Sequence, residues 1–284
     1  MPSLLILIRP QQWTKSLFVL APLFFALQFH EIEAWYAMGI AVICFITISG
    51  VVYIVNDIND INEDRAHPRK KQRPLASGKV SLRQALLFAG LLFLITAGLL
   101  TILPIYCTII VGTYALIQIA YTLRLKHVAV VDVLIIASGF VLRVLMGAYA
   151  IDVPVSPWII ATTYLLALFL GFGKRYHEYS IEGYATKRVS LNGYSKHLLE
   201  QLISISCVCA LLSYTIYAIE TARLLDKTAL VYTVIFVIFG LFRYLQALYI
   251  DQKGGEPEKI LLTDIPFIIN GLVWAIITVG VLAL

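Results

Sequence analysis

Residues 35–79 read WYAMGIAVICFITISGVVYIVNDINDINEDRAHPRKKQRPLASGK, an apolar run followed by an acidic and then a basic segment. The apolar part, 35–55, is long enough to cross a bilayer as one helix, since roughly 20 apolar residues span about 30 Å of hydrocarbon. Charged side chains are costly inside hydrocarbon, so the acidic segment marks the end of this helix. The stretch therefore predicts a membrane helix with a dense group of charges at its mouth.

Further apolar runs on either side bring the predicted number of membrane spans to nine. They lie near 16–30, 35–55, 84–103, 105–121, 129–150, 157–172, 201–220, 228–248 and 263–283. The 284 residues are 60% hydrophobic and 14% charged, whereas a soluble domain is about 25% charged. This composition excludes a water-soluble enzyme and a disordered chain. We expect an all-α integral membrane protein, with one transmembrane domain over 1–284. Its motif-bearing loops lie near 56–83, 122–128, 173–200 and 249–262.

The basic residues predict which side of the membrane each loop faces. Of the 22 Lys and Arg residues, all but Arg143, Arg223 and Lys227 fall before the first span, after even-numbered spans or, for Arg243, close to the end of the eighth span. Cytoplasmic loops are enriched in Lys and Arg, so the N-terminus and the long loops are predicted to face the cytoplasm. The N-terminal segment does not resemble a secretory signal. We expect a multi-pass protein of the cell (inner) membrane, with its active site facing the cytoplasm.

Three aspartates after the second span, Asp57, Asp60 and Asp64, are spaced i, i+3 and i+7. On a helix this spacing places them on one face, within roughly 60° of one another. Crowded carboxylates need a cation, and Mg²⁺ prefers oxygen ligands and commonly bridges carboxylates to a diphosphate. The spacing predicts that all three bind Mg²⁺ and act in catalysis. The alternative is a solvated polar helix end, neutralised by the basic segment that follows.

The basic segment follows within ten residues and includes Lys70 and Arg73. Arginine donates paired hydrogen bonds to phosphate, so an acidic metal-binding face beside this segment would receive a Mg²⁺–diphosphate. Positive-inside topology also places Lys and Arg here, and this alternative is strong for any single residue.

The pattern NDxxDxxxD followed by RxHPxKxxRPLASG resembles the first signature of the UbiA superfamily of membrane prenyltransferases. Asn56 and the three aspartates fill its polar positions, and RPQQWTK at 9–15, which ends in Lys15, resembles another motif of that family. The resemblance implies nine helices around a central cavity, a Mg²⁺–diphosphate site and a lipid-facing opening for a polyprenyl chain. It also implies that Lys15, Asn56, Lys70 and Arg73 bind substrate.

Most aromatic prenyltransferases of this superfamily carry a second aspartate-rich motif after the sixth span. This chain has GKRYHE at 173–178 instead. Lys174 and Arg175, with Glu178 beside them, are expected to bind phosphate oxygens directly rather than through a metal, which indicates a ligand set with more phosphates than one prenyl diphosphate. The alternative is an i, i+4 ion pair between Lys174 and Glu178, worth roughly 0.2–0.5 kcal/mol.

Several stretches together resemble one branch of the superfamily, the decaprenyl-phosphate phosphoribosyltransferases. They are YTLRLKHVAVVDV at 121–133, SGFVLR at 138–143, GKRYHE, and GGEPEKILLTDIP at 254–266. This branch implies a transferase of cell-wall synthesis that takes phosphoribosyl pyrophosphate (PRPP) as donor, a polyprenyl phosphate as nucleophile and Mg²⁺ as cofactor. An anionic phosphate needs no general base, which fits a site of metal ligands and cations. The expected partners are these substrates and membrane lipid but no nucleic acid, and a homo-oligomer is left open.

Two other functions stay open. An aromatic prenyltransferase of quinone-type synthesis would take a polyprenyl diphosphate and a hydroxyarene, although no residue is singled out to accept a ring proton. A transporter would predict polar residues at mid-membrane depth and often an internal repeat, and neither pattern is clear in the sequence.

Single polar residues near the later spans have two interpretations each. Tyr121, Lys126 and Asp132 flank the loop after the fourth span. Lys126 is expected to bind a phosphate, with a topology role as the alternative. Asp132 enters the next span and needs a partner, for which Lys126 or a metal is expected. Asp264, at the start of the last span, binds substrate or merely solvates a loop.

Arg143 lies inside the fifth predicted span. An arginine in a membrane span is a functional candidate by default. The favoured interpretation here is that its side chain reaches the outer interface or pairs with Asp152, because the site is expected on the other side.

Overall fold

The structure, a computed structural model, describes residues 3–68, 70–181, 189–251, 254–255, 260 and 262–283. All regular structure in these ranges is helical, which confirms the all-α prediction. The α-helices are α1 (Ser3–Leu7), α2 (Ala21–Phe25), α3 (Ile32–Asn59), α4 (Ile61–Ala66), α5 (Leu82–Leu100), α6 (Ile105–Leu123), α7 (Val131–Ala150), α8 (Pro157–Ile181), α9 (Lys196–Leu225), α10 (Val234–Tyr249) and α11 (Ile265–Ala283). The 3-10 helices are Pro10–Leu20, Gln28–His30, Lys70–Gln72, Leu125–His127, Val189–Gly193 and Thr228–Thr233.

Eight helical segments in the described ranges are long and apolar enough to cross a membrane. They are α3, α5, α6, α7, α8, α9, the segment Thr228–Tyr249 that contains α10, and α11. Their surfaces carry large apolar side chains such as Leu94, Leu116 and Ile276, which are 68%, 71% and 71% exposed. Extended apolar surfaces are rare on soluble monomers and suit contact with lipid. The predicted integral membrane fold is confirmed.

The N-terminal segment differs from the sequence prediction. Instead of one span at 16–30, the chain forms the 3-10 helix Pro10–Leu20 and then the short α2. Arg9 and Leu27, on either side of this segment, have φ of 48° and 56°. This left-handed backbone is uncommon for residues other than glycine and interrupts a regular helix. The number of nine continuous spans is therefore not confirmed in the part of the chain that the structure describes.

The chain divides into two compact units, and the first contains Met1–Lys126 and Leu142–Pro154. In this unit α3 packs against α5 and α6 around a core that includes Phe45. Two side-chain hydrogen bonds join the helices, one between Thr47 and Thr96 at 2.7 Å and one between Ser49 and Tyr114 at 3.0 Å. Such polar links between apolar helices fix their register. The middle of α3 is therefore held against α5 and α6.

The second unit contains His127–Val141 and Val155–Leu284, and its core forms where α8 packs against α9. Two glycines of α8 allow close packing. A Cβ atom at Gly171 would lie 2.6 Å from Cγ1 of Val133, and one at Gly173 would lie 2.7 Å from the hydroxyl of Tyr244. Both distances are far below a normal carbon contact, so only glycine fits. This packing fixes the part of α8 that carries Lys174 and Arg175.

Candidate active site

The three aspartates of the first unit lie where two helices meet. Asp60 stands between α3 and α4 with φ −95° and ψ 10°. Backbone hydrogen bonds continue across it, from Asp60 N to Asn56 O at 2.9 Å and from Asp64 N to Asp60 O at 2.8 Å. The chain therefore stays nearly helical, but the single helical face predicted for Asp57, Asp60 and Asp64 is interrupted at its middle member.

Arg73 joins the two outer aspartates. Its Nη1 donates to Asp57 Oδ1 at 3.0 Å and to Asp64 Oδ2 at 2.7 Å. Arg9 donates through Nη2 to the same oxygen of Asp57. Asp57 and Asp64 are each 3% exposed, whereas the two arginine side chains are each 27% exposed. Removing the cations would leave uncompensated buried charges, which is strongly unfavourable.

Local structure positions both arginines. Arg9 takes the left-handed backbone described above, and its guanidinium lies 4.8 Å from the ring centroid of Tyr53 in a cation–π contact. Arg73 N donates to Lys70 O at 2.9 Å, which closes a turn. Leu75, two residues later, is buried in an apolar cluster of the first unit. The backbone at Arg73 is therefore anchored while its side chain remains partly exposed.

Asp60 pairs with a different cation. Lys126 Nζ donates to Asp60 Oδ1, and Asn59 Nδ2 donates to the same oxygen at 2.8 Å. Burial raises the pKa of Asp60, but these hydrogen bonds and the charges of Lys126 and Lys70 outweigh it, so the pKa lies below its ordinary value. Asp60 is therefore ionised at neutral pH and holds Lys126, which is only 8% exposed.

The described residues contain no group of three His, Cys, Asp or Glu side chains arranged to hold a metal ion. The three predicted ligands are divided, since Asp57 and Asp64 converge on Arg73 while Asp60 faces Lys126. Asp57 and Asp64 still fit a divalent cation, because one oxygen of each lies within hydrogen-bonding distance of one cationic nitrogen. Carboxylate oxygens completed by water are the ligands that Mg²⁺ prefers.

Asp132 is the centre of a buried network in the second unit, and it is 0% exposed. Its Oδ2 accepts hydrogen bonds from Arg175 Nε at 2.8 Å and from Ser190 Oγ at 3.0 Å. Its Oδ1 accepts from the hydroxyl of Tyr194 at 2.9 Å, and that hydroxyl accepts the N–H of Val130 at 2.6 Å. The carboxylate therefore ties the start of α7 to α8 and to the 189–194 segment.

Two consequences follow for the partners of Asp132. Burial, together with the negative charge of Asp132, raises the pKa of Tyr194, so its hydroxyl stays protonated and donates. The sequence predicted Lys126 or a metal as the partner of Asp132, but the structure shows Arg175 in that position, and Lys126 pairs with Asp60. Lys126 is close to Asp132 along the chain, but in the fold it belongs to the ion pair of Asp60.

Arg175 also binds Glu178, with Nη1 donating to Oε2 at 2.5 Å. Arg175 is 2% exposed, while the side chain of Glu178 is 18% exposed. Glu178 thus pairs with the residue three positions before it, not with Lys174 as the i, i+4 alternative expected. Lys174 is half-buried. The three groups Asp132, Arg175 and Glu178 together carry one net negative charge.

Asp264 has two structural contacts in the second unit. Its carboxylate accepts from Arg243 Nε at 3.1 Å and Nη2 at 2.8 Å, a bidentate ion pair. It also accepts the backbone N–H of Phe267 at 3.0 Å, which satisfies an unpaired donor in the first turn of α11. Asp264 therefore does more than solvate a loop, and its substrate contact stays a prediction.

The remaining predicted substrate-binding residues lie on helical elements of the first unit. Lys15 is in the 3-10 helix Pro10–Leu20, Asn56 in α3, Lys70 in the 3-10 helix Lys70–Gln72 and Tyr121 in α6. Lys70 is exposed and the other three are half-buried. The backbone carbonyl of Asn56 accepts the N–H of Asp60, and the positive charge of Lys70 lowers the pKa of Asp60. Direct binding by these four residues stays a prediction.

Arg143 is packed inside the first unit and is 5% exposed. Its guanidinium carbon lies 5.0 Å from the ring centroids of both Phe45 and Tyr114. Its Nη2 lies 3.3 Å from Ser49 Oγ and 3.3 Å from the Tyr114 hydroxyl. The prediction that this side chain reaches the outer interface is therefore wrong.

Sequence reasoning missed four residues of these networks. Arg9 was part of the recognised RPQQWTK motif but was not singled out as a partner of Asp57, and Arg243 was read only as a topology residue. Ser190 and Tyr194 contact Asp132 across 58 and 62 positions of the chain. No local spacing pattern indicates such contacts.

A profile of the UbiA prenyltransferase family matches residues 16–280. The chain belongs to the UbiA prenyltransferase family. It is 33% identical over 280 residues to the decaprenyl-phosphate phosphoribosyltransferase of Mycolicibacterium smegmatis, covering 94% of this chain and 88% of that protein. The protein of the same name from Mycobacterium tuberculosis is 32% identical over 282 residues, covering 96% and 91%. The UbiA-family chain is thus a multi-pass membrane transferase, as the sequence predicted.

Solved structures agree on the UbiA fold. A UbiA homolog from Archaeoglobus fulgidus bound to DMAPP and Mg²⁺ superposes with a TM-score of 0.75 at 16% identity, covering 99% of each chain. The structure of the same homolog bound to Cd²⁺ gives a TM-score of 0.70. At this identity the likeness establishes the fold of this UbiA-family member.

Proposed function

We propose that this chain transfers 5-phosphoribose from PRPP to a decaprenyl-type polyprenyl phosphate, in a Mg²⁺-dependent reaction that releases diphosphate. The observation that carries the proposal is the near full-length similarity to proteins named decaprenyl-phosphate phosphoribosyltransferase. The charged groups of the candidate site support it, since carboxylates suit a divalent metal and arginines suit phosphates.

In this reaction a phosphate oxygen of the lipid forms a bond to C1 of the ribose as the bond from C1 to the diphosphate breaks. The nucleophile is already anionic, so no side chain has to remove a proton. The diphosphate leaves with the bonding electron pair, and its growing charge must be neutralised. Catalysis therefore depends on positioning the two reactants and stabilising the leaving group.

In the first unit, we assign metal binding to Asp57 and Asp64. When bound, Mg²⁺ supplies positive charge to the diphosphate. Arg9 and Arg73 donate to phosphate oxygens, because guanidinium presents several donors in a fixed geometry. Lys126 is held beside Asp60 as a further cation for a phosphate.

In the second unit, we assign phosphate binding to Lys174 and a positioning role to Arg175. Arg175 is buried and directs its donors to Asp132 and Glu178, so moving it to a phosphate would leave buried carboxylates unpaired. The sequence predicted phosphate binding by both Lys174 and Arg175, and we now assign it to Lys174 alone of the two. Substrate contacts of Lys15, Asn56, Lys70, Tyr121, Glu178 and Asp264 belong to the same proposal.

The proposed location is the cytoplasmic face of the inner membrane. The strong asymmetry of Lys and Arg between odd and even loops supports this orientation. PRPP is water-soluble, and a polyprenyl phosphate is held in the bilayer. A site at the cytoplasmic surface therefore gives both substrates access.

An aromatic prenyltransferase is the second candidate, favoured by the solved homolog that binds DMAPP, a prenyl diphosphate. The two functions differ in their donor. The full chain in lipid nanodiscs is offered Mg²⁺ with labelled PRPP and decaprenyl phosphate, or labelled polyprenyl diphosphate and a hydroxyarene. We expect lipid-soluble product only from PRPP, and its loss with EDTA. Product only from the prenyl diphosphate would overturn the proposal in favour of the second candidate.

A further inference from the structure

The acidic cluster of the first unit is balanced by cations of the same chain. Asp57, Asp60 and Asp64 carry three negative charges. They pair with Arg9, Lys126 and Arg73, which carry three positive charges. Arg73 contacts two of the aspartates through a single nitrogen, Nη1. These six side chains therefore balance one another before any ligand binds, and the positive charge of Lys70 also acts on Asp60.

This balance opposes binding of a divalent metal alone. A metal bridging Asp57 and Asp64 would compete with Arg73 Nη1, which lies 3.0 and 2.7 Å from one oxygen of each carboxylate. If Arg73 stayed, two cations would share a partly buried position and repel each other. If Arg73 left without a new partner, its guanidinium would lose both hydrogen-bonded ion pairs.

The same balance opposes binding of a diphosphate alone. An anion that draws Arg73 away leaves Asp57 and Asp64 facing each other, and both are 3% exposed. Asp57 would then keep Arg9 as its partner, but Asp64 would lose the ion pair described for it, and a buried carboxylate that loses its cation is strongly unfavourable. When metal and diphosphate bind together, every charged group keeps a partner, because the metal binds the carboxylates and the Arg73 guanidinium binds the phosphate oxygens.

We propose that Arg73 is an exchangeable counter-cation, and that its transfer from Asp57 and Asp64 to phosphate makes binding of metal and diphosphate strongly cooperative. This inference rests on the proposed function in taking a diphosphate as the donor's metal-bound group. It goes further by assigning the coupling between the two ligands to one residue.

The surroundings of Arg73 suit such an exchange. Its backbone is held by the turn to Lys70 and by the burial of Leu75, whereas its side chain is 27% exposed. Arg9 is restrained by the Tyr53 ring and pairs with Asp57. Lys126 is 8% exposed and pairs with Asp60. Arg73 combines a partly exposed side chain with contact to both convergent carboxylates.

The test measures ligand binding rather than turnover. Full-length protein in nanodiscs is titrated with Mn²⁺, followed by electron paramagnetic resonance at buffered free Mn²⁺, with and without inorganic pyrophosphate. Allosteric coupling typically changes affinity by about 5- to 150-fold. We expect pyrophosphate to tighten Mn²⁺ binding by about 10-fold or more, and Mn²⁺ to tighten pyrophosphate binding by the same factor.

Variants test whether Arg73 is responsible for the coupling between Mn²⁺ and pyrophosphate. Arg73→Gln should bind Mn²⁺ alone more tightly than wild type, and pyrophosphate should then tighten its Mn²⁺ binding by a smaller factor than in wild type, because only the direct contact between metal and phosphate remains. Arg65→Gln is the matched control, since Arg65 is an exposed arginine on α4, and it should keep the wild-type coupling. An Arg73→Gln protein with wild-type Mn²⁺ affinity and wild-type coupling would overturn the inference.

The wild-type titration decides the inference even if Arg73→Gln does not fold. Independent binding of Mn²⁺ and pyrophosphate to the wild type would overturn it by itself. The outcome is also separable from the proposed function, because both candidate donors contain a diphosphate. Cooperative binding without transfer from PRPP would contradict only the proposed function. Transfer from PRPP with independent binding would contradict only the role of Arg73.

Discussion

Asp132 and Arg175 form a buried ion pair, with Arg175 Nε 2.8 Å from Asp132 Oδ2 across 43 positions of the chain. Their side chains are 0% and 3% exposed. The pair ties the first turn of α7 to α8 and, through Ser190 and Tyr194, to the segment before α9. Because Arg175 also binds Glu178, the pair sets the position of a partly exposed carboxylate.

Replacement of Asp132 by Asn should destabilise the second unit strongly. It leaves the buried guanidinium of Arg175 with one carboxylate, and breaking a buried pair costs roughly 3–5 kcal/mol. Tyr194→Phe removes one hydrogen bond from the same carboxylate and should cost roughly 1–3 kcal/mol. Thermal unfolding of both variants in nanodiscs measures the difference. If both variants lowered the melting temperature equally and only slightly, Asp132 would not be the centre of the buried network.

Replacement of Asp57 by Asn should lower Mg²⁺-dependent transfer at least about 100-fold, the size of effect seen when one preorganised electrostatic contact is removed. The reason is that Asn offers the metal a neutral ligand in place of a carboxylate. Glu63→Gln is the matched control, because Glu63 is an exposed carboxylate on the neighbouring α4. Similar activity losses in the two variants, or normal Mg²⁺ dependence in Asp57→Asn, would exclude the metal role.

Asp60 should stabilise the protein only while it is ionised. Burial raises its pKa, but hydrogen bonds from Lys126 and Asn59 bring the net pKa below the ordinary value, which is about 3.9 in an unfolded chain. The contribution is therefore complete above pH about 4 and is lost as the pH falls through the lower folded pKa. The melting temperatures of wild type and Asp60→Asn should differ at neutral pH and converge as the pH falls below about 4, the region of the unfolded pKa. If the difference in melting temperature widened on acidification, the prediction that ionised Asp60 stabilises the protein would be contradicted.

Replacement of Arg143 by Lys should lower stability by roughly 1–2 kcal/mol, because an ammonium group does not reproduce the guanidinium's contacts with two rings. The guanidinium carbon lies 5.0 Å from the ring centroids of both Phe45 and Tyr114 in the core of the first unit. Arg124→Lys, at an exposed position, is the matched control for the same chemical change. We expect unchanged Mn²⁺ affinity in both variants. A loss of Mn²⁺ binding in Arg143→Lys without a loss of stability would point to a functional role instead.

Most of the fold follows from the apolar runs alone. The helices α3 and α11, for example, coincide with the predicted spans 35–55 and 263–283 because hydrocarbon requires long uninterrupted apolar segments. The run at 16–30 satisfied the same composition rule but forms a 3-10 helix and a short α-helix. Composition does not report the left-handed backbone at Arg9 and Leu27.

The candidate site was predictable in residue type but not in pairing. The spacing of Asp57, Asp60 and Asp64 indicated a charged cluster, and the basic segment indicated its cations. Which cation meets which carboxylate depends on tertiary packing, and so Lys126 was paired with the nearby Asp132 rather than with Asp60, 66 positions away. Sequence spacing carries information about one helix, whereas these ion pairs join several.

The most direct test of the account locates the metal itself. Crystals of the full chain grown with Mn²⁺ and PRPP give anomalous scattering that marks the metal position independently of the protein density. The account predicts a peak bonded to carboxylate oxygens of Asp57 and Asp64, at about 2.0–2.4 Å, close to the distances for small divalent cations. It also predicts that Arg73 no longer bridges these aspartates and contacts a phosphate. A metal bound elsewhere, with Arg73 still joined to Asp57 and Asp64, would contradict the account.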